Sequence, residues 1–357
     1  MQEVASRTHR RWTPSMCPRV LAWLLVTCGA LVAAAQEAPP RHTFEATDRP
    51  WPPDLPTETL RDAFAFEHET FNVRFRPPTA GFTDPGGLAF HSLLPSEELS
   101  LRVVMVDAYP AHNDPDSLLQ NEPKPAVLLV HSLHPDMPIA TALARSVTTQ
   151  GVHAFVVHLP GYGNRPVPED RPDWPGVVAL RESVRAVAEV RRACDAVAAL
   201  PGVDPDRIVL QGTSLGSFPA AVAAGLNARH HGLVLLLGGG NVTNIIEHGQ
   251  KDAANFRQTL ERYGIDQAKR AELITPLEPL TIADRLNPKT TWLLAARNDT
   301  VVQPANALAL ADAVGLDETR FVQLPGNHYT ASLALPAIAD LLVRIAKADD
   351  PATLDAP

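Results

Sequence analysis

The feature that most constrains the fold is an alternation of short apolar runs with longer amphipathic stretches, which begins near residue 123. All but the last of these runs are continuously apolar, as expected of strands that are covered on both faces. Strands alternating with helices of this length predict an α/β fold built on a doubly wound, mostly parallel sheet. The predicted strands are 127–130, 154–157, 208–210, 233–237, 292–294 and 321–324. The predicted helices are 139–149, 177–200, 215–226, 305–314 and 331–346.

Two regions depart from this alternation. Residues 241–290 are too long for a simple crossover and contain an amphipathic helical pattern at 256–273, which predicts a helical cap inserted above the carboxyl edge of the sheet. Residues 71–75 and 99–106 show an alternation of apolar and polar residues instead, which is typical of antiparallel strands. Together with the Pro-rich, aperiodic stretch 36–60, they predict a linker or surface strap followed by an N-terminal β-rich extension.

The first 35 residues have the pattern of a secretory signal peptide. Four arginines precede an apolar run at 20–32, and three alanines at 33–35 supply the small residues of a cleavage site before Gln36. The run is short for a membrane-spanning helix, although an uncleaved anchor is the alternative. The pattern predicts a periplasmic or secreted protein with no stable membrane insertion after cleavage.

The predicted organisation therefore has four parts, with boundaries at the changes of pattern. A signal occupies 1–35, a linker and β-rich extension 36–122, an α/β domain with its insertion 123–348, and a short tail 349–357. Of the three cysteines only Cys194 lies beyond the signal, so the mature chain can form no internal disulfide. The net charge of −9 argues against nucleic acid or an anionic membrane as the main partner and favours a neutral or small substrate.

The motif Gly212-x-Ser214-x-Gly216 lies between a predicted strand and a predicted helix. This order is that of a nucleophile elbow, in which a strained turn exposes the Ser hydroxyl above the sheet while small neighbours let strand and helix approach. The bare motif is common in ordinary turns. Its position between strand and helix favours Ser214 as a nucleophile.

A Ser nucleophile needs a His base, which a carboxylate holds in the correct tautomer. In a fold of this kind the acid and then the base follow the Ser along the chain, each after a later strand. Asp299 follows the strand at 292–294, and His328 follows the strand at 321–324. Asp284 and Asp312 compete less well for the role of the acid, because both lie in helix-like or cap segments.

Acyl transfer also needs two N–H donors where the carbonyl oxygen becomes negative. The amide of Leu215 directly follows the nucleophile, and the amide of Leu133 lies in the loop after the strand at 127–130. In the same loop, His131, His134 and Asp136 could be proposed as metal ligands, but such a spacing is common by chance. We therefore expect no metal and no cofactor.

Residues 125–346 resemble the α/β-hydrolase superfamily. The stretch PGVDPDRI at 201–208, before the elbow, looks like the group of dienelactone hydrolases, acetyl xylan esterases and prolyl oligopeptidases. The resemblance implies an α/β-hydrolase fold, hydrolysis without a cofactor, and a triad of Ser214, Asp299 and His328.

Three functions fit these features. The first is hydrolysis of a small carboxylic ester through an acyl-serine intermediate, and the second is a prolyl oligopeptidase-like serine peptidase. The cap has no evident Glu-Glu pair to anchor a peptide amino terminus, which favours the ester. The third is a non-catalytic binding protein that retains the fold. The sequence determines neither the acyl and alcohol groups nor the oligomeric state.

Overall fold

The computed structural model describes residues 41–79, 84–165 and 174–354, so the predicted signal peptide lies outside the described residues. Ten strands form a single sheet in the order β1-β2-β3-β4-β6-β5-β7-β8-β9-β10. The strands are β1 (His42–Thr47), β2 (Thr70–Arg76), β3 (Gly86–His91), β4 (Val103–Tyr109), β5 (Lys124–Val130), β6 (His153–Val157), β7 (Val203–Thr213), β8 (Gly232–Leu236), β9 (Thr291–Ala296) and β10 (Phe321–Leu324).

The sheet has an antiparallel part and a parallel part. Strands β1 to β4 pair antiparallel in chain order, and β4 pairs antiparallel with β6. From β6 onward every pairing is parallel. The predicted fold class, a mostly parallel α/β sheet with an antiparallel N-terminal extension, is confirmed.

Helices cover both faces of the sheet. They are α1 (Glu58–Ala63), α2 (Leu99–Arg102), α3 (Pro138–Thr148), α4 (Trp174–Arg181), α5 (Ser183–Ala198), α6 (Ser217–Gly225), α7 (Val242–His248), α8 (Asp252–Arg262), α9 (Gln267–Ile274), α10 (Pro304–Val314) and α11 (Leu335–Lys347). Short 3-10 turns occur at Ala111–Asn113, Ser214–Gly216, Thr275–Leu277, Pro279–Arg285, Thr330–Ala334 and Pro351–Thr353. Across the described ranges, no helix combines the length and the apolar character needed to cross a membrane.

The two faces of the sheet belong to two hydrophobic cores. Val127 and Leu129 of β5 pack in the core that includes α3 and α11, whereas Leu128 and Val130 pack in the core that includes α5, α6 and α10. Successive side chains of a strand point to opposite faces, so a strand buried on both faces needs an apolar residue at every position. This requirement explains the continuous apolar runs of the parallel strands.

Four sequence predictions of individual elements are wrong in detail. Residues 99–102 form helix α2 rather than a strand. In a strand Leu99 and Leu101 would point to the same face, whereas in the helix they point to nearly opposite sides, so Leu101 is buried while Leu99 is 74% exposed. The single helix predicted over 177–200 is two helices, α4 and α5. The amphipathic pattern at 256–273 is divided between α8 and α9 at Gly264, whose φ of +70° ends a helix in the left-handed conformation. The aperiodic stretch 36–60 contains strand β1, which pairs with β2.

Candidate active site

The order of the strands places the predicted site residues at one edge of the sheet. Strands β5 and β7 are parallel neighbours, so the loop after β5 and the turn after β7 meet at their carboxyl ends. Strands β8, β9 and β10 continue from β7 in the same direction. Ligands of open α/β sheets bind at this edge, near the point where the strand order reverses.

Ser214 lies in a strained turn directly after β7. Its φ is +51°, a left-handed conformation that is uncommon for a residue with a side chain. The turn passes close to the backbone of β5: a Cβ atom added at Gly216 would clash with the carbonyl oxygen of Val130, and one added at Gly212 would clash with Gly216. The hydroxyl of Ser217 donates a hydrogen bond of 2.6 Å to the carbonyl of Ser214. Glycine at 212 and 216 therefore lets the strand and the helix close around the Ser.

We expect Gly216→Ala to destabilise the fold by about 2 kcal/mol or more, because the new methyl group meets rigid backbone rather than a movable side chain. The same variant should lose hydrolytic activity, since relief of the clash displaces the Ser214 turn. Gly87→Ala is the matched control: its added carbon lies 3.7 Å from its nearest neighbour, the carbonyl of Val106. Urea unfolding and ester assays would compare the two, and equal stabilities would contradict this account of the turn.

Ser214, His328 and Asp299 form one hydrogen-bonded series. The Oγ atom of Ser214 lies 2.9 Å from Nε2 of His328. Nδ1 of the same ring lies 2.7 Å from Oδ2 of Asp299. The other carboxylate oxygen of Asp299 accepts hydrogen bonds from the backbone N–H groups of Val301 and Val302, at 2.8 and 3.0 Å. With Nδ1–H donating to the carboxylate, Nε2 is free to accept the Ser proton.

The two amides predicted as oxyanion donors lie beside this series. Leu215 is the second residue of the 3-10 turn that begins at Ser214, and Leu133 lines the same cavities as Ser214. Among the described residues, neither backbone N–H donates to a protein acceptor. Both amides are therefore available to a substrate oxygen.

His131 is a buried structural residue in the loop that carries Leu133. Its Nδ1–H donates to the carbonyl of Ser132 at 2.7 Å, and its Nε2 accepts from the backbone N–H of Leu159 at 3.1 Å. Burial lowers the pKa of His131 to about 4, so the ring is neutral at pH 7. Both ring nitrogens of His131 therefore have backbone hydrogen-bond partners. In the part of the chain that the structure describes, no group of three or more His, Cys, Asp or Glu side chains is placed to hold a metal ion.

The neutral state of His131 predicts a loss of stability in acid. The unfolded chain binds a proton on this ring below a pH of about 6.5, whereas the folded chain does so only near pH 4, so stability falls as the pH drops between these values. In this interval His131→Gln should reduce the pH dependence of the unfolding free energy by about 1.4 kcal/mol per pH unit. Denaturant titrations from pH 4.5 to 7 would measure the slopes, and an unaltered slope in His131→Gln would refute the assignment.

Two cavities meet at Ser214. The first, here called the cap cavity, is bounded by α6, the cap helices α7 and α8 and the turn after β9, and its lining is almost entirely apolar. It is lined by Phe218, Val242, Ile245, Ile246, Phe256, Leu277, Val301 and Val302, among others. The second, here called the His328 cavity, contains His328 and lies between the loop after β5 and the turn before α11. It is lined by Ser132, His134, Ile139, Thr213, Tyr329, Ser332 and Leu335, among others.

Asp252 and Tyr329 also belong to this site, and the sequence analysis did not identify them. Asp252 is the first residue of α8 and lines both cavities. Its carboxylate lies near Tyr329, and the pKa of the Tyr329 hydroxyl is raised by burial and then by this neighbouring charge. The Tyr329 ring packs edge-to-face on His328, and Lys251 lies 4.8 Å from its centre. Adjacency to His328 could have drawn attention to Tyr329, whereas no local pattern indicates where the cap places Asp252.

Comparisons with known proteins identify the fold. No protein-family model matches the chain, and no curated protein does. The acetyl xylan esterase from Paenibacillus sp. R4 superposes with a TM-score of 0.59 and 14% identity, over 82% of this chain and 94% of that one. The 2,6-dihydroxy-pseudo-oxynicotine hydrolase superposes with a TM-score of 0.52 and 15% identity, over 72% and 68%. The chain therefore has an α/β-hydrolase fold, and the expected resemblance is confirmed at that level.

Proposed function

We propose that this protein is a serine hydrolase that cleaves carboxylic esters through an acyl-serine intermediate. The observation that carries the proposal is the series from Ser214 Oγ through His328 to Asp299, with distances of 2.9 and 2.7 Å, on a strained turn that opens onto two cavities. A surface Ser with no chemical role would need neither a buried carboxylate nor a left-handed backbone. The fold supports the proposal, because both solved structures named above are hydrolases.

The reaction follows from this geometry. The Oγ atom of Ser214 attacks the ester carbonyl carbon while Nε2 of His328 takes its proton, and the carbonyl oxygen becomes negative at the amides of Leu133 and Leu215. The bond to the alcohol oxygen then breaks, and His328 returns the proton to that oxygen. Water repeats the sequence on the acyl-serine and releases the carboxylic acid. Asp299 remains ionised and holds the imidazole in the required tautomer.

The cap cavity favours an ester over a peptide as substrate. The acyl side of a peptide bond carries further amide groups, and each loses hydrogen bonds to water when it enters an apolar cavity. Among the described residues that line the cap cavity, Ser214 and Asp252 alone have polar side chains. A hydrocarbon acyl chain has no such groups to satisfy, so its burial is favourable.

A fluorophosphonate probe tests the proposal directly. We expect covalent labelling at Ser214, identified by mass spectrometry of the labelled peptide, and its loss in the Ser214→Ala variant. The unlabelled enzyme should hydrolyse p-nitrophenyl esters, with rates that a chelator does not change, and should leave aminoacyl p-nitroanilides intact, whereas labelling should abolish the ester hydrolysis. Cleavage of the anilides would support the peptidase alternative. Absence of both labelling and turnover would support a binding protein that retains the fold.

We further propose that the protein works in the periplasm or is secreted. The support is the sequence pattern of residues 1–35, with its arginines, apolar run and alanines. Expression of the full chain with a carboxy-terminal tag, followed by fractionation and amino-terminal sequencing, would test it. The expected mature terminus is Gln36. Full-length protein in the cytoplasm would contradict both the location and the cleavage.

A further inference from the structure

The two cavities at Ser214 differ in chemistry, and only one of them contains the base. We propose that the cap cavity binds the acyl group and the His328 cavity binds the alcohol, so that the enzyme selects esters of uncharged, apolar acids longer than acetate. This inference rests on the proposed ester hydrolysis and names its substrate class.

Proton transfer determines which half of the substrate enters which cavity. After attack, the former carbonyl carbon carries the Ser oxygen, the oxyanion, the alcohol oxygen and the acyl chain. The oxyanion faces the amides of Leu133 and Leu215, and the alcohol oxygen must lie within hydrogen-bond reach of Nε2 of His328 to receive its proton. The cavity that contains His328 therefore receives the alcohol. The acyl chain takes the remaining direction, into the cap cavity, which His328 does not line.

The lining of the cap cavity determines the preferred acyl chain. Phe218 of α6, Ile245 of α7 and Phe256 of α8 converge on it from different elements. Each methylene group transferred from water into such surroundings gains about fourfold in binding. An acetyl group would contact little of this surface, so the transition state of its ester gains little from the cavity.

The charge of Asp252 should make the cap cavity discriminate against negatively charged acyl groups. It lies where the two cavities adjoin, and it is the only charged side chain among the residues that line the cap cavity in the described structure. A carboxylate at the far end of an acyl chain would lose its hydration and be repelled by Asp252. Half-esters of dicarboxylic acids should therefore be poor substrates compared with uncharged esters of the same length.

The first test compares wild-type rates along two series. In p-nitrophenyl esters of acetate, butyrate, hexanoate and succinate, we expect kcat/KM to rise at least tenfold from acetate to the better of butyrate and hexanoate, and to be at least tenfold lower for succinate than for butyrate. In butyrate esters of methanol, ethanol, butanol and benzyl alcohol, the alcohols should change the acylation rate while the deacylation rate stays constant, because all share one acyl-enzyme. A preference for acetate or succinate would overturn the inference.

The second test uses one variant in each cavity. Ala253 lines only the cap cavity and Ile139 only the His328 cavity. Ala253→Leu should move the acyl preference to shorter chains and leave the order of alcohols unchanged, whereas Ile139→Phe should alter the order of alcohols and leave the acyl preference unchanged. Ala253 is 7% exposed, and the larger side chain could impair folding. Phe256→Ala, at a partly exposed residue, is therefore a second variant, and it should move the preference to longer chains.

The opposite pattern, in which cap-cavity variants change only the order of alcohols, would reverse the assignment.

Failure of the inference is distinct from failure of the proposed function. An enzyme that labels with fluorophosphonate and hydrolyses esters, but shows a flat acyl profile, rejects only the inference. A protein that neither labels nor hydrolyses any ester rejects the proposed function as well.

Discussion

Ser214→Ala should reduce kcat for ester hydrolysis by roughly 10⁵-fold or more, which is the scale seen when a hydrolase loses its nucleophile. The variant removes the atom that attacks the carbonyl and keeps the left-handed backbone, whose strain is the same for Ala as for Ser. Within the described part of the chain, the side-chain hydrogen bond lost is that to Nε2 of His328. Stopped assays at high enzyme concentration would measure the residual rate.

The fold of this variant should be intact, because Ser214 is held by its backbone. Ser217 donates to its carbonyl, and the glycines on either side fix the turn. The melting temperature of Ser214→Ala should therefore differ from that of the wild type by no more than a few degrees. Ser217→Ala is the neighbouring control, and it should cost less than about tenfold in activity, because its hydroxyl holds backbone and does not react. A wild-type rate in folded Ser214→Ala would refute the mechanism.

The parallel sheet and the meeting of Ser214, Asp299 and His328 could be predicted because both depend on local patterns and one topological rule. Continuous apolar runs mark strands buried on both faces, and the carboxyl ends of parallel strands share an edge. A Ser, an Asp and a His that each follow such a strand therefore lie at the same edge. The distances between the side chains of Ser214, His328 and Asp299 could be obtained only from the structure.

Strand β1 could not be predicted, because distant residues stabilise it. Arg192 of α5 donates hydrogen bonds to the buried carboxylate of Asp48, just after β1, and to Glu69, just before β2. The guanidinium also lies 4.2 Å above the ring of Phe71. These contacts join parts of the chain more than a hundred residues apart. A Pro-rich, aperiodic segment contains no local signal for them.

The arrangement of the cap could also not be predicted from the sequence, for a different reason. Its helices were expected, but the amphipathic pattern alone did not show the break at Gly264. The position of Asp252 beside Tyr329 depends on how the cap folds over the turn after His328, and a periodic pattern describes one helix at a time. For this reason the two cavities, and the division of the substrate that follows from them, could be derived only from the structure.

Asp299→Asn should lower kcat/KM by about 10⁴-fold at pH 7, because the change in one atom reverses the hydrogen bonding of His328. Oδ1 of Asp299 accepts from the amides of Val301 and Val302, and an Asn side chain must direct its carbonyl oxygen toward these two donors. Its NH₂ group then faces Nδ1 of His328, which now lies opposite a donor and must accept. The ring proton moves to Nε2. That nitrogen faces Ser214 as a donor and can no longer take the hydroxyl proton.

Asp312→Asn is the matched control, since the side chain is exposed on α10 and the sequence analysis considered it for the same role. It should retain activity within about twofold. The Asp299 variant should still fold, with little change in substrate KM, because the amide preserves the shape of the carboxylate. A loss under about tenfold would place the acid elsewhere, and a carboxylate after β8 would then be the next to test. If the altered tautomer of His328 causes the loss, Asp299→Asn impairs the activation of Ser214 itself. In that case kcat for ester hydrolysis and the rate of fluorophosphonate labelling should fall by a similar factor.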